Sequence, residues 1–226
     1  MALNLIGPLR HGLALYLILA VSIGLHDFAQ AKVAELLGDF LPRRQGRVAL
    51  NPLAHFDPIG TGLIPLLLIF RPLLTHSPLF PVTVVGWGRP VKFSLSNPRT
   101  RARDEIFITL AGPGMNFLLA LAIGISSGLI NRVLGAAMPW ANLIISINCS
   151  LIAFNCIPLP PLDGSRLLRL VVAMSDRTFG RLSWISPLIL LALVNTPMMQ
   201  AALIHVAGWA ATPVYFCMYH VAGRYF

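Results

Sequence analysis

The sequence predicts an all-α polytopic membrane protein, and three observations predict it. Hydrophobic residues make up 56% of the chain and charged residues only 11%, against about 25% charged in a soluble domain. Mean hydropathy is +0.75. Apolar runs of spanning length recur, given that about 20 residues cross the hydrocarbon of a bilayer. The 226 residues suit one membrane domain rather than two. A helical core over 12–175 is expected, followed by a transmembrane hairpin over 184–220. The formal net charge is +9. Long basic runs interleaved with aromatics are absent, which argues against nucleic acid as a partner. In a membrane protein an excess of Lys and Arg marks cytoplasmic loops. The three cysteines, Cys149, Cys156 and Cys217, sit in apolar segments, and an odd number there argues against a disulfide framework. The first apolar run lacks a small-residue cleavage site, so it does not read as a signal peptide.

A first helix is predicted from Gly12 to about Leu37. Its first half is almost purely apolar; its second half carries His26, Asp27, Gln30, Lys32 and Glu35. Ionisable groups at membrane depth are costly and point to function. Lys32 and Glu35 lie near the helix end, where long side chains reach the interface. Gly38-Asp39 stops the helix. Residues 43–60 then read as a loop with extended pieces, because prolines and alternating polar residues interrupt any helical period.

Residues 59–74 are apolar but short, and are broken by Pro65 and Pro72. They either span or dip in and return. If they span, the arginines at 43–47 face the opposite side from Arg89, Lys92, Arg99, Arg101 and Arg103. If they re-enter, all of these share one face with Arg166, Arg169, Arg177 and Arg181, leaving Arg10 and Arg132 opposite. The re-entrant arrangement fits the positive-inside bias far better. Non-helical backbone is tolerated at that depth when buried in protein or lining a wet cavity.

Val82–Val85 and Pro90–Leu95 alternate as short strands do. Asp104-Glu105 opens a long helix, acidic where the dipole prefers it, that runs to about Leu134. It contains Gly112-Pro113 and Asn116. Small residues there permit close helix contact, and Asn116 can either bond to a neighbour or belong to ordinary packing. Trp140 to Ile157 is a further membrane helix, and the prolines at 158, 160 and 161 force an unwound segment before Asp163-Gly164. Asp163 can be a loop acid or a metal ligand presented from a broken helix. Residues 165–181 are basic and amphipathic, as a helix lying on the membrane surface would be. Segments 184–196 and 198–220 close the chain.

Chemistry concentrates in Leu25–Ala31. Residues four apart share a helix face, so His26 and Gln30 point the same way, with Asp27 beside them. The metalloprotease signature H-E-x-x-H uses this geometry: two histidines hold zinc and the glutamate activates water. Here the glutamate has lost a methylene and the second histidine has become an amide.

The set His26-Asp27-x-x-Gln30, Gly112-Pro113-x-x-Asn116 and Leu162-Asp163-Gly164, in this order, resembles the site-2 protease family of intramembrane zinc metalloproteases. The stretches Arg43–Gly60 and Gly86–Val91 resemble a compact bacterial branch of it. The resemblance covers about residues 12–175. It implies a site-2-protease-like core with short strand-like or re-entrant segments, a zinc site at His26, Gln30 and Asp163, and a base position at Asp27. Asn116 falls at the polar helper position. The extended segments, with Gly86, Trp87, His55 and Asp57, would form a platform for an unwound transmembrane helix. His55 and Asp57 are expected to be structural or gating rather than replacement ligands. His11, His76, His205 and His220 are read as interfacial polar residues.

Two departures bear on the chemistry. Zinc favours His nitrogen, Cys sulfur and carboxylate oxygen, so an amide at Gln30 leaves the site one good ligand short. A carboxylate drawn back by one methylene is misplaced by about 1 Å, which can cost ~100-fold in rate. The expectation is a catalytically inactive pseudoprotease, with zinc absent or weakly bound. It would act as a binding or assembly subunit for membrane-protein partners in a bacterial cytoplasmic membrane, with its basic loops facing the cytoplasm. The alternative is an active or attenuated intramembrane metalloprotease. A transporter is disfavoured, because no internal repeat is visible.

Overall fold

The computed structural model describes residues 6–75, 86–95, 97, 99–136 and 138–223. Helix α1 spans Ile6–Leu36 and stops at Gly38, whose φ of +91° suits glycine. A single turn, α2, follows at Leu41–Arg44, then α3 at Ile64–Thr75. The long α4 runs Arg101–Leu134, α5 Ala141–Asn155 and the short α6 Asp163–Val171. Helices α7, Asp176–Val194, and α8, Pro197–Val221, end the fold. Among the described residues four helices are long and apolar enough to cross a membrane: Leu9–Leu36, Arg101–Leu134, Asp176–Val194 and Pro197–Val221. The protein is an all-α, multi-pass membrane protein.

The core forms where α1, α4, α5 and α8 meet. Helix α5 is central, with Ile145, Ile147, Cys149, Leu151 and Phe154 all buried. Asn148 is buried with them and donates back to the Ile144 carbonyl at 2.9 Å, so the helix itself satisfies that donor inside the core. On α4, Gly124 and Gly128 face α8; a Cβ at Gly128 would lie 2.5 Å from the Met218 carbonyl oxygen. Without side chains there, backbone meets backbone, which is how membrane helices gain contact area. Helix α7 joins the core near its C-terminal end through Leu190 and Val194, while Trp184 and Leu188 stay exposed. The three cysteines are free thiols.

The segment after residue 58 leaves and returns to one level. Trp87 N donates to Gly60 O at 3.2 Å, and Arg89 N to His55 O at 2.8 Å. Thr61 Oγ1 donates to Trp87 O at 2.8 Å. Between these ends α3 runs back along α1, with Ile69 packed against Leu15 and Leu19 and Phe70 against Gly12. The two ends therefore lie together, as the re-entrant reading requires. The charges sort the same way. Arg43 pairs with Glu35 at the end of α1, Gln45 bonds to Lys92, and Arg166 faces Glu105. The loops 41–47 and 89–103 and the region around α6 thus share one end. At the other, His11 stacks on Trp140.

Three local expectations are corrected. Residues 43–60 are a loop with extended residues at Asn51, Phe56 and Asp57, but they also hold short helical turns: besides α2, Pro52–His55 forms a 3₁₀ turn and Pro58–Leu63 a π turn. Each begins with proline, which suits a first helical position. Each is also capped, by the side chains of Asn51 and Asp57. Pro90–Leu95 pairs with no strand among the described residues; side chains hold it instead. Asp39 Oδ2 accepts from Ser94 N at 2.5 Å and Leu95 N at 3.3 Å. Gln45 bonds both the N–H and the carbonyl of Lys92. Val82–Val85 lies outside the described residues. Finally, the basic stretch 165–181 does not lie wholly outside the spans: its first part is in α6, and from Asp176 it belongs to α7, which is long and apolar enough to cross a membrane. Ala173, at φ +48°, breaks it, and Ser175 caps the next helix through Thr178 N at 3.2 Å.

The hairpin geometry makes a topological prediction. In a background with the native cysteines replaced by alanine, single cysteines at Asn51 and Arg99 should react with an impermeant thiol reagent from one membrane face. A cysteine at Met138 should react from the other. Labelling of Asn51 and Arg99 from opposite faces would mean that α3 spans.

Candidate functional site

Four helices converge on one buried polar cluster. His26 and Gln30 stand one turn apart on α1, both 5% exposed. Helix α4 lies against them at Gly112, where a Cβ would collide with the His26 ring and come within 2.7 Å of Gln30 Nε2. That close approach brings in Asn116, which is fully buried. Helix α5 ends at Asn155, and the proline-rich turn carries the chain back so that Asp163 opens α6. Gly164 makes the turn possible: a Cβ there would sit 2.5 Å from the Cys156 carbonyl oxygen and 2.7 Å from that of Ile157.

Hydrogen bonds join the four side chains. Asn116 Nδ2 lies 3.1 Å from His26 Nδ1. With Nδ1 accepting that bond, His26 Nε2 carries the ring proton and donates to Asp163 Oδ2 at 2.9 Å; Gln30 Nε2 also stands 3.2 Å from His26 Nε2. Gln30 Nε2 donates to Asp163 Oδ1 at 2.7 Å. Reversing the Gln30 amide would set its oxygen against a carboxylate oxygen at that distance, so the NH₂ group must face Asp163. Both oxygens of a buried carboxylate are thereby satisfied, as burial of a charge demands.

Zinc is the metal these ligand positions would hold. Zinc favours His nitrogen, Cys sulfur and carboxylate oxygen. His26 and Asp163 meet that preference, whereas Gln30 offers only an amide, so the donor set is one ligand short of a hydrolytic zinc site. The side chains close on one another instead, at 2.9 Å and 2.7 Å.

Asp27 points away from this cluster. Its Oδ2 lies 3.8 Å from His55 Nδ1, and both atoms are buried without a hydrogen-bond partner. His55 Nε2 donates to Ala49 O at 2.9 Å, so the neutral ring presents a bare lone pair at Nδ1. Burial and the neighbouring Arg47 hold the His55 pKa below the usual imidazole range. An ionised Asp27 would thus set two acceptors face to face, whereas a proton on Oδ2 would supply the donor that the pair lacks. Gly88 closes the third side, where a Cβ would strike the Asp27 carboxylate.

The expected site residues thus separate. His26, Gln30, Asn116 and Asp163 come together, whereas Asp27 belongs with His55 and Gly88. Asp57 caps the π turn through Ile59 N at 3.0 Å and Gly60 N at 2.6 Å. Gly86 packs within 3.1 Å of Ile23 and 3.3 Å of Pro65, measured from the Cβ it lacks. Trp87 is 9% exposed and belongs to the core with Phe154 and Leu162. Above the cluster opens a cleft of about 730 Å³, walled by the 86–95 strap, α1, α6 and the start of α7.

Sequence reasoning did not single out Arg166, whose guanidinium lies 4.4 Å over the Phe93 ring and 3.7 Å from Glu105. Desolvation lowers its pKa, and the Asp163 and Glu105 carboxylates push it back up. The only sequence signal was its place three residues after Asp163 in a basic stretch.

No family model matches the chain, and no solved structure matches it. Its relatives include the candidate zinc metalloprotease YwhC of Bacillus subtilis strain 168, 33% identical over 163 residues, which are 68% of this chain and 67% of the relative. They also include the candidate zinc metalloprotease Rip2 of Mycolicibacterium smegmatis, 27% identical over 170 residues, which are 72% of this chain and 60% of the relative.

Two outcomes follow from the packing. Asp27→Asn would place a donor opposite the His55 lone pair, so detergent-solubilised protein should gain about 1 kcal/mol in thermal unfolding. A lower melting temperature would contradict the facing-acceptor assignment. Gly112→Ala should cost about 1–3 kcal/mol through overpacking, visible in the same assay.

Proposed function

The chain belongs to the site-2 protease family of intramembrane zinc metalloproteases, and from that premise we propose that it is a member in which binding has replaced hydrolysis. It would act as a catalytically inactive binding or assembly subunit in a bacterial cytoplasmic membrane. One observation carries the reading: the Gln30 amide donates to Asp163 where the family pattern sets a second imidazole. Both carboxylate oxygens are occupied by hydrogen bonds, which favours a stable polar plug over a metal-loaded one.

The cleft above the plug supports retention of binding. Gln45 and Asp39 hold one edge of the strap, at Lys92 and Ser94. In an extended chain alternate residues turn their backbone groups to opposite edges. The edge at Val91 and Phe93 is therefore free to pair with an extended segment of a transmembrane partner. The clustering of basic loops at the α2 and α6 end favours that end as cytoplasmic. Retention of His26 and Asp163 side by side is the feature that would favour an attenuated protease instead.

Metal analysis separates the two. Purified protein should carry well under one zinc per chain, and Asp27→Glu with Gln30→His should raise zinc content towards one per chain. Stoichiometric zinc in the unaltered chain, with chelator-sensitive cleavage of a membrane peptide, would establish the protease instead.

A further inference from the structure

One end of the molecule carries positive charge that the chain itself does not balance. The sequence holds 17 Lys and Arg against 8 Asp and Glu, and all the acids are already committed. Glu35 pairs with Lys32 and Arg43, Asp104 with Arg103, Glu105 with Arg166 and Asp176 with Arg169. Asp39 and Asp57 accept from backbone N–H groups. Asp163 is closed by His26 and Gln30, and Asp27 is turned inwards to His55. Arg44, Lys92, Arg99, Arg101, Arg177 and Arg181 are exposed and meet no acid among the described residues. These cations come from separate segments that lie together. Gln45 ties α2 to the strap, and Arg169 ties α6 to the first turn of α7. Lys92 and Arg101 line the cleft, and Arg177 and Arg181 flank Phe179, which lines it too. Uncompensated charge therefore rings the cleft opening. Exposed apolar side chains stand close by: Leu36 and Phe40 before Arg44, Ile106 and Phe107 after Arg101, Trp184 and Ile185 after Arg181. Cations next to an exposed apolar belt are what a helix end presents to the headgroup layer of a bilayer.

We propose that the rim of the cleft binds anionic phospholipid: headgroup phosphates of the leaflet at this end gather on Arg44, Lys92, Arg99, Arg101, Arg177 and Arg181, and their acyl chains lie against the apolar side chains beside them. Basic residues near an anionic leaflet each add to the attraction, which falls off within a screening length. Guanidinium groups also match phosphate oxygens with paired N–H donors. An acidic protein segment would answer the same charge. It would cover one cluster, however, whereas these cations are spread around the opening, each with an apolar neighbour that needs hydrocarbon at the same time. A phospholipid supplies the anion and the hydrocarbon in one molecule. This holds whatever segment occupies the cleft.

Spin-labelled lipids test this on the full chain reconstituted in phosphatidylcholine bilayers. The fraction of labelled phosphatidylglycerol immobilised at the protein surface is compared with that of labelled phosphatidylcholine. At low salt phosphatidylglycerol should associate about threefold more strongly or better. The ratio should fall towards unity at about 1 M salt, where the screening length is about 3 Å. A variant carrying Arg44→Gln, Lys92→Gln, Arg99→Gln, Arg101→Gln, Arg177→Gln and Arg181→Gln should show a ratio near unity at low salt. Its helical content by circular dichroism should be unchanged, because these side chains are exposed; should it fall, the salt dependence of the unaltered chain decides alone. Arg10→Gln with Arg132→Gln, at the opposite end, should keep most of the preference. Equal association of the two lipids with the unaltered chain overturns the proposal. So does a preference that the Arg10 and Arg132 changes abolish and the cleft-end changes do not. Capture of a soluble polyglutamate peptide that phosphatidylglycerol fails to displace would give the charges to an acidic protein partner, and also overturns it.

Discussion

The structure depends on how one buried carboxylate is satisfied. Asp163 is 7% exposed, at the meeting of α1, α4 and α6. A charge in such a place must be paired or bonded on every side. A divalent ion would meet that need in the chain's relatives by name. Here an imidazole N–H and an amide N–H meet it instead, at 2.9 Å and 2.7 Å. These bonds tie α1 to the start of α6 through the chain's own side chains.

The same demand fixes which backbones approach. Asn116 reaches His26 Nδ1 only because Gly112 has no side chain between α4 and α1. Asp163 reaches Gln30 only because Gly164 lets the turn fold onto the Cys156 and Ile157 carbonyls. Each polar contact is therefore bound to a glycine on the partner segment, and the sequence pairs them closely: Gly112 with Asn116, Gly164 with Asp163.

Much of this was legible before any coordinates, for a physical reason. Spans α1, α4, α7 and α8 announce themselves because hydrocarbon selects length and apolarity, both local properties. Half of the cluster was legible because residue spacing on a helix fixes direction, so His26 and Gln30 had to share a face; Asn116 and Asp163 joined them only through the family resemblance. The strap was not. Its alternation suggested strands, yet Ser94 and Lys92 are held by Asp39 and Gln45, side chains 55 and 47 residues away. No local pattern encodes such a bond. Asp57 caps a π turn through its carboxylate, a structural role of the kind expected for it, though the turn itself has no sequence signature. Trp87 lines the cleft and at the same time packs with Phe154 and Leu162, a second role that its place in the sequence does not announce. The break at Ala173 was invisible because an alanine with positive φ gives no compositional sign.

The two changed residues of the helical motif are better understood together than singly. Without a divalent ion, carboxylates at positions 27 and 163 would leave excess negative charge beside a neutral His26. A longer carboxylate at 27 could reach towards the polar cluster and compete with Asp163 for its donors. The shorter Asp27 is turned instead towards His55 and Gly88. Its electrostatic neighbour there is Arg47, itself 4% exposed and bonded to the Ala54 carbonyl. Asp163 in turn feels Arg166. A guanidinium of the chain itself thus acts on each carboxylate, Arg47 on Asp27 and Arg166 on Asp163, so part of their negative charge is offset by fixed residues of the fold.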